Sequence, residues 1–125
     1  MEENKISGII VNTSFRIHSE LGPGLFEKIY EEILAYELRK INLKVETQKP
    51  ISVFWDELIM DVGFKADIVV ENKVIVELKS VKQIEERNKK QLLTYLKITG
   101  MKLGLLINFN EALLKDGITR IANGL

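Results

Sequence analysis

Residues Phe64 to Lys79 form two largely apolar, β-branched runs around the polar triplet Glu71-Asn72-Lys73. Such a pattern is a hairpin signal, and a hairpin constrains which side chains can meet. Side chains alternate across a strand, and directly opposed residues share a face. With a three-residue loop, Val70 faces Val74 and Asp67 falls opposite Glu77. One face then carries Phe64, Ala66, Ile68, Val70, Val74, Val76 and Leu78, all apolar. The other carries Lys65, Asp67, Val69, Ile75, Glu77 and Lys79.

The opposed acids are unfavourable by themselves. Two unit charges about 5 Å apart repel by roughly 3 kcal/mol at an effective dielectric of about 20. Like charges placed across a ladder weaken it. A divalent cation between them reverses the sign, and hard cations prefer carboxylate oxygens. The competing reading is a solvated face on which Lys65 and Lys79 neutralise the acids. A two-residue loop would put Asp67 and Glu77 on opposite faces, and the pattern leaves the loop length open.

Composition narrows the alternatives. The 125 residues suit one domain, spanning 1–125. Eighteen basic and eighteen acidic side chains cancel, so nucleic-acid binding needs a local patch rather than a global positive field. With no cysteine, disulfides and thiolate-bound metals are excluded, and the single histidine excludes a multi-histidine site. No apolar run approaches membrane-spanning length and the first residues lack a signal-peptide pattern, which points to the cytosol.

Ile6, Ile9, Ile10, Thr13, Ile17 and Leu21 keep helical spacing and predict a helix over about 4–20, stopped at Gly22-Pro23-Gly24. His18 lies on its flank, where a lone histidine is most often structural. A second helix is expected over about 25–41, with Lys28, Glu31, Glu32 and Arg39 on its polar side. Glu27 projects between Leu34 and Leu38, towards the buried flank, where a carboxylate needs a partner or a metal. The bland explanation is that an acid in the first turn complements the helix dipole. Strands follow over about 44–54 and from Leu58 into the hairpin, joined by a turn at Trp55-Asp56-Glu57. A third helix over about 84–98 carries Gln91 and Tyr95 one turn apart, with Gly100 as its stop. Leu103 to Ile107 is apolar on both faces, as in a strand parallel to its neighbour and reached by a helical crossover. Residues 111–125 read as short helix or coil. The expected class is α/β, a mixed central sheet (an antiparallel meander plus one parallel strand) flanked by helices.

Asp67, followed after nine residues by Glu77-Leu78-Lys79, resembles the signature of the PD-(D/E)XK nuclease superfamily, and the element order resembles its restriction-endonuclease-like core. Gly24-Leu25-Phe26-Glu27-Lys28-Ile29-Tyr30 is similar to the GxxExxY signature that names one small-protein family within it. Nearly the whole chain looks like that family, from His18 to Phe109. Gln91 and Tyr95 resemble the QxxxY element of RecB-like and Cas4-like nucleases. E-x-K alone is a weak motif; the ordered set of Glu27, Asp67, Glu77, Lys79, Gln91 and Tyr95 is far more specific. Two departures stand out: Ala66-Asp67 replaces Pro-Asp, and Trp55-Asp56-Glu57 lacks the glycine expected of its turn.

The resemblance implies a metal-dependent nuclease acting on DNA. Asp67, Glu77 and the backbone carbonyl of Leu78 would hold Mg²⁺ or Mn²⁺, with Glu27 completing the site directly or through water. Lys79 would orient or deprotonate the attacking water, or hold a phosphate oxygen. Gln91 and Tyr95 would position DNA or brace the acids, and His18 could approach the metal. Neutral charge and minimal size favour a rival reading, a catalytically silent nuclease fold that binds nucleic acid or a protein. A homodimer or partner protein would then supply grip that so small a core lacks. A purely structural subunit leaves Glu27 and the acid pair unexplained.

Overall fold

The computed structural model describes residues 1–125, the side chain of Val62 excepted. Two helices come first, α1 (Glu3–Leu21) and α2 (Glu27–Lys40). Three strands follow, β1 (Val45–Trp55), β2 (Leu58–Val70) and β3 (Val74–Lys79). Helix α3 (Glu86–Thr99) leads to β4 (Leu103–Asn108), and a 3₁₀ turn at Leu114–Gly117 leads to β5 (Ile118–Ala122). The strands form one sheet in sequence order, antiparallel except where β3 runs parallel to β4. The α3 crossover makes that parallel step, and all six β4 residues are buried, as expected of an apolar strand covered on both faces.

Each sheet face buries its own core. Helices α1 and α2 cover one face, packing Ile6, Ile10, Tyr30, Leu34 and Leu38 on Ile68, Val70, Val74, Val76 and Leu78. Helix α3 covers the other with Leu92 and Leu96 against Ala66, Val69, Ile75 and Leu106. Gly104 makes this approach close: a Cβ there would come within 2.9 Å of the Leu92 side chain. The α3 start is closed by reciprocal hydrogen bonds between Glu85 and Asn88, and Gly100 ends the helix at φ +75°.

The hairpin register follows the three-residue loop. Val70 pairs with Val74, Val69 with Ile75 and Ile68 with Val76, and Glu71 and Asn72 turn the chain at φ +54° each. The expected single apolar face does not extend the length of β2. Ile68 and Val70 enter the α1/α2 core, but Phe64 and Ala66 pack with the α3 cluster. The alternation breaks around Asp67. Beside it on β1, between the pairs Thr47–Ile68 and Lys49–Ala66, Gln48 takes a left-handed φ of +48°. The missing turn glycine is answered by Asp56, which takes φ +54°, a conformation that Asp tolerates better than most side chains.

The tail corrects the expectation of helix or coil. Ile118–Ala122 pairs antiparallel with β4, from Ile107–Ile118 to Leu103–Ala122. Beyond the paired part of β3, β1 and β2 continue as a two-stranded ribbon whose end exposes Phe54, Trp55, Leu58 and Ile59. No helix among the described residues is long and apolar enough to cross a membrane.

Truncation should separate the core from the ribbon. Leu96→Ala empties a fully buried position and should lower unfolding free energy by about 2–5 kcal/mol in urea titrations. Trp55, 75% exposed, has little to lose, and Trp55→Ser should change stability by no more than about 0.5 kcal/mol.

Candidate active site

Glu77 lies between Val76 and Leu78, both of which enter the α1/α2 core, so its side chain is directed to the α3 side with Ile75. The β2–β3 ladder ends at Ile68–Val76, and the next step along each strand sets Asp67 against Glu77. There Asp67 replaces a backbone acceptor: its Oδ2 accepts the Leu78 N–H at 2.9 Å. In an extended strand a residue's N–H and C=O point to the same side, so the Leu78 carbonyl is also directed towards Asp67. Lys79 faces the other way in the ladder, and its carbonyl accepts the Phe109 N–H at 2.9 Å.

The acids are in conflict. Glu77 Oε1 is buried without a hydrogen-bond partner among the described residues. Burial first, and the neighbouring Asp67 charge second, push the Glu77 carboxyl up to about 9, against a smaller opposing pull from Lys79. A protonated Glu77 can share its proton with Asp67, which resolves the repulsion without a cation. Tyr95 lies close enough to feel both charges: burial, then Glu77, then Asp67 raise its phenol above the usual range. Its ring stacks on Phe64 with centroids 3.6 Å apart. The β2 face switch that takes Phe64 to the α3 side thus places Tyr95 beside the acids.

The other expected residues are placed differently. Gln91 is exposed one turn before Tyr95, on a recess it shares with Arg87 and Asn88. His18 is buried, its Nε2 2.8 Å from the Glu111 carbonyl and its ring near Phe109. Glu27 is exposed in the first turn of α2, which corrects the expectation that it projects to the buried flank. The buried acid of this helix is Glu31, expected on the polar side but only 3% exposed. Helical spacing by itself leaves this choice open, because Glu27 and Glu31 are four apart on one stripe. Polar partners decide it. Glu31 Oε2 accepts from Lys28 Nζ at 2.9 Å and Oε1 from Gln48 Nε2 at 2.6 Å. The same Gln48 nitrogen lies 3.3 Å from Asp67 Oδ1.

Two further residues brace the site: Asn108, without a clear sequence signal, and Tyr30, the last residue of the GxxExxY-like stretch. Asn108, fully buried at the end of β4, accepts the Val81 N–H and donates to the Val81 carbonyl, which fixes the chain leaving Lys79. Its only trace in sequence is a polar residue closing an apolar strand. Tyr30 stacks on Phe109, donates to the Gly22 carbonyl and accepts the Leu25 N–H. Its role is to clamp the loop ahead of α2.

Among the described residues no three or more His, Cys, Asp or Glu side chains gather as a ready-made metal cage. The donors present are two carboxylates and one carbonyl, all hard oxygens, and one carboxylate oxygen is buried without a partner. That set fits a hard divalent cation, which takes carboxylate and carbonyl oxygens and can keep waters in its remaining positions.

Comparison with protein-family models matches residues 4–121 to the PD-(D/E)XK nuclease superfamily. The chain belongs to this superfamily. Its mixed sheet flanked by helices is the restriction-endonuclease-like architecture of PD-(D/E)XK proteins, which generally use divalent metals. The order in the superfamily's name, an acid followed by Glu-x-Lys, is that of Asp67 and Glu77-Leu78-Lys79. No curated protein and no solved structure gives a significant match to the chain.

The raised Glu77 carboxyl has a definite consequence for stability. Between about pH 4.5, the ordinary value, and about pH 9, the folded protein keeps a proton that the unfolded chain has released. Stability therefore falls as pH rises through this window and levels off above it. Glu77→Gln, which holds neutral shape at every pH, should flatten the fall. In metal-free buffer at pH 8 it should raise the thermal midpoint by at least about 4 °C, and at pH 4 leave it nearly unchanged. Calorimetric scans at the two pH values check this.

Proposed function

We propose that this chain is a Mg²⁺- or Mn²⁺-dependent nuclease acting on DNA in the cytosol, of the GxxExxY kind and built as one domain over residues 1–125. The observation that carries the reading is the buried, partnerless Glu77 oxygen beside Asp67, at the strand end that also turns the Leu78 carbonyl to Asp67. A half-buried acid pair with one buried, partnerless oxygen persists against its own repulsion only where a proton or a cation compensates. A cation would do so, and the motif order supports the same choice.

Asp67, Glu77 and the Leu78 carbonyl would hold the ion. When bound, such an ion lowers the pKa of a water and neutralises charge developing on a phosphodiester. Lys79, beside Glu77, supplies a positive charge for the phosphate oxygen or takes the proton of the attacking water. Tyr95, held by Phe64, limits where the acids can move, and its hydroxyl can donate to one of them or to a phosphate. Gln91, exposed on the same helix beside Arg87, would touch the substrate strand and resembles the first residue of QxxxY. Glu27, exposed at the start of α2, would reach an ion through water. A second copy or a partner protein would extend the grip on DNA.

A silent binding module is favoured by two observations: Glu27 and Gln91 are both exposed, and no third acid joins Asp67 and Glu77 in a metal-binding cluster among the described residues. Lys79→Met separates the readings, because an ammonium needed only as water attacks phosphorus affects turnover more than ground-state binding. The variant should keep its fold and Mn²⁺ affinity, bind DNA almost as well, and lose cleavage by a factor of about 10² to 10⁴. The assay is Mn²⁺-dependent cleavage of single-stranded, duplex and flapped DNA beside a salt titration of binding. Wild-type protein silent on all three substrates, with only a salt-dependent affinity loss in Lys79→Met, would instead establish the binding module.

A further inference from the structure

We infer that Gln48 is a positioning residue for Asp67: its amide, anchored on the buried carboxylate of Glu31, sets the orientation of Asp67 before any cation or substrate arrives. The inference rests on the acid-pair reading above and adds a device that neither the metal ligands nor the motif contains.

Four contacts in series carry it. Lys28 Nζ donates to Glu31 Oε2 at 2.9 Å, and Gln48 Nε2 donates to Glu31 Oε1 at 2.6 Å. The same nitrogen reaches Asp67 Oδ1 at 3.3 Å, and Asp67 Oδ2 accepts the Leu78 N–H at 2.9 Å. A primary amide has two N–H groups and no charge. It can therefore stand between two carboxylates and donate to both, where a lysine would compete with a cation and an acid would repel. Glu31 is nearly fully buried, so it cannot swing away and makes a fixed anchor. Asp67 is gripped at both oxygens, and each keeps a further lone pair for another partner.

The backbone supports the assignment. Gln48 is a non-glycine residue in left-handed conformation at φ +48°, in a strand whose neighbours Thr47 and Lys49 pair regularly with Ile68 and Ala66. Such a conformation is unfavourable for a residue that carries a side chain and persists where surrounding contacts over-determine it. The contacts here are the bonds of its amide to Glu31 and Asp67. The same place is where the β2 faces switch, so the irregular backbone and the aimed amide belong to one local arrangement.

The test uses Gln48→Leu, which keeps bulk and removes the donor, and the double variant Glu31→Leu/Gln48→Leu, which also removes the acid left short of a partner. Amide hydrogen exchange at Leu78 reports the Asp67–Leu78 bond without metal. Calorimetric titration with Mn²⁺ reports the assembled site. In Gln48→Leu, Leu78 exchange should speed at least tenfold while Val74 and Val76 keep their protection, and the Mn²⁺ Kd should rise by about 10- to 100-fold. The double variant should recover thermal stability but not slow Leu78 exchange or tight Mn²⁺ binding. Recovery of all three together would show that Gln48 serves only to satisfy Glu31, and unchanged Leu78 exchange in Gln48→Leu would equally overturn the inference. If wild-type protein binds no Mn²⁺, the metal-dependent nuclease reading fails by itself, and Leu78 exchange still decides the role of Gln48.

Discussion

Glu77 cannot turn away from Asp67 without dismantling the sheet around it. Strand β3 is the middle of five, with Val74, Val76 and Leu78 in the α1/α2 core and Ile75 under α3. A one-residue slip would exchange the two faces, drive Glu77 into the larger core and bring apolar residues out of it. Burial of four aliphatic side chains thus sets the direction of one carboxylate. The position of Asp67 follows from the three-residue turn, because the Val70–Val74 pair counts back to it. The site inherits its precision from the most rigid part of the fold.

The remaining parts hold the ends of that strand. Asp67 takes the Leu78 N–H where the ladder with β2 has stopped. Phe109 and Asn108 hold Lys79 and Val81 from the parallel side. Ser80 Oγ donates to the Leu25 carbonyl, and Tyr30 closes the loop on which Leu25 lies. These polar contacts cluster at the carboxyl ends of β3 and β4, where side chains and loops leave the sheet. Open α/β sheets generally place their ligand crevices at such ends.

How far this was legible depended on whether apolar pattern or polar pairing made the decision. The doubly buried parallel strand is a consequence of where aliphatic residues fall and is readable from residues 103–107, whereas the pattern over 64–79 allows two loop lengths, between which the Val70–Val74 pair decides. Strand β5 leaves no clear sequence pattern because Ile118-Thr119-Arg120-Ile121-Ala122 is short and becomes a strand by pairing with β4. The break in β2 was missed because Phe64 and Ala66 are apolar on either face, and only the left-handed Gln48 alongside reveals the switch. In the sequence Glu31 reads as a surface acid, since nothing in helical spacing announces a glutamine 17 positions away whose amide meets its carboxylate. Propensity and periodicity describe what water repels. Which acid is buried is a question of partners, and partners distant in sequence leave no local pattern.

The acid pair also shows how a fold can carry a site that opposes it. Without a cation, the conflict between Asp67 and Glu77 is relieved by a proton kept on Glu77 far above its ordinary range. The protein can therefore fold before loading, at the expense of stability that declines as pH rises. The proposed cation would occupy the same place in the electrostatics as that proton. Loading and deprotonation would then be one exchange, with any affinity for metal set against the affinity for a proton at the same buried oxygen. A deeper burial of Glu77 would favour the proton; a more open one would let water screen Asp67 and weaken the need for either. The present arrangement lies between them, with Lys79 drawing Glu77 towards ionisation and the dry α3 side opposing it.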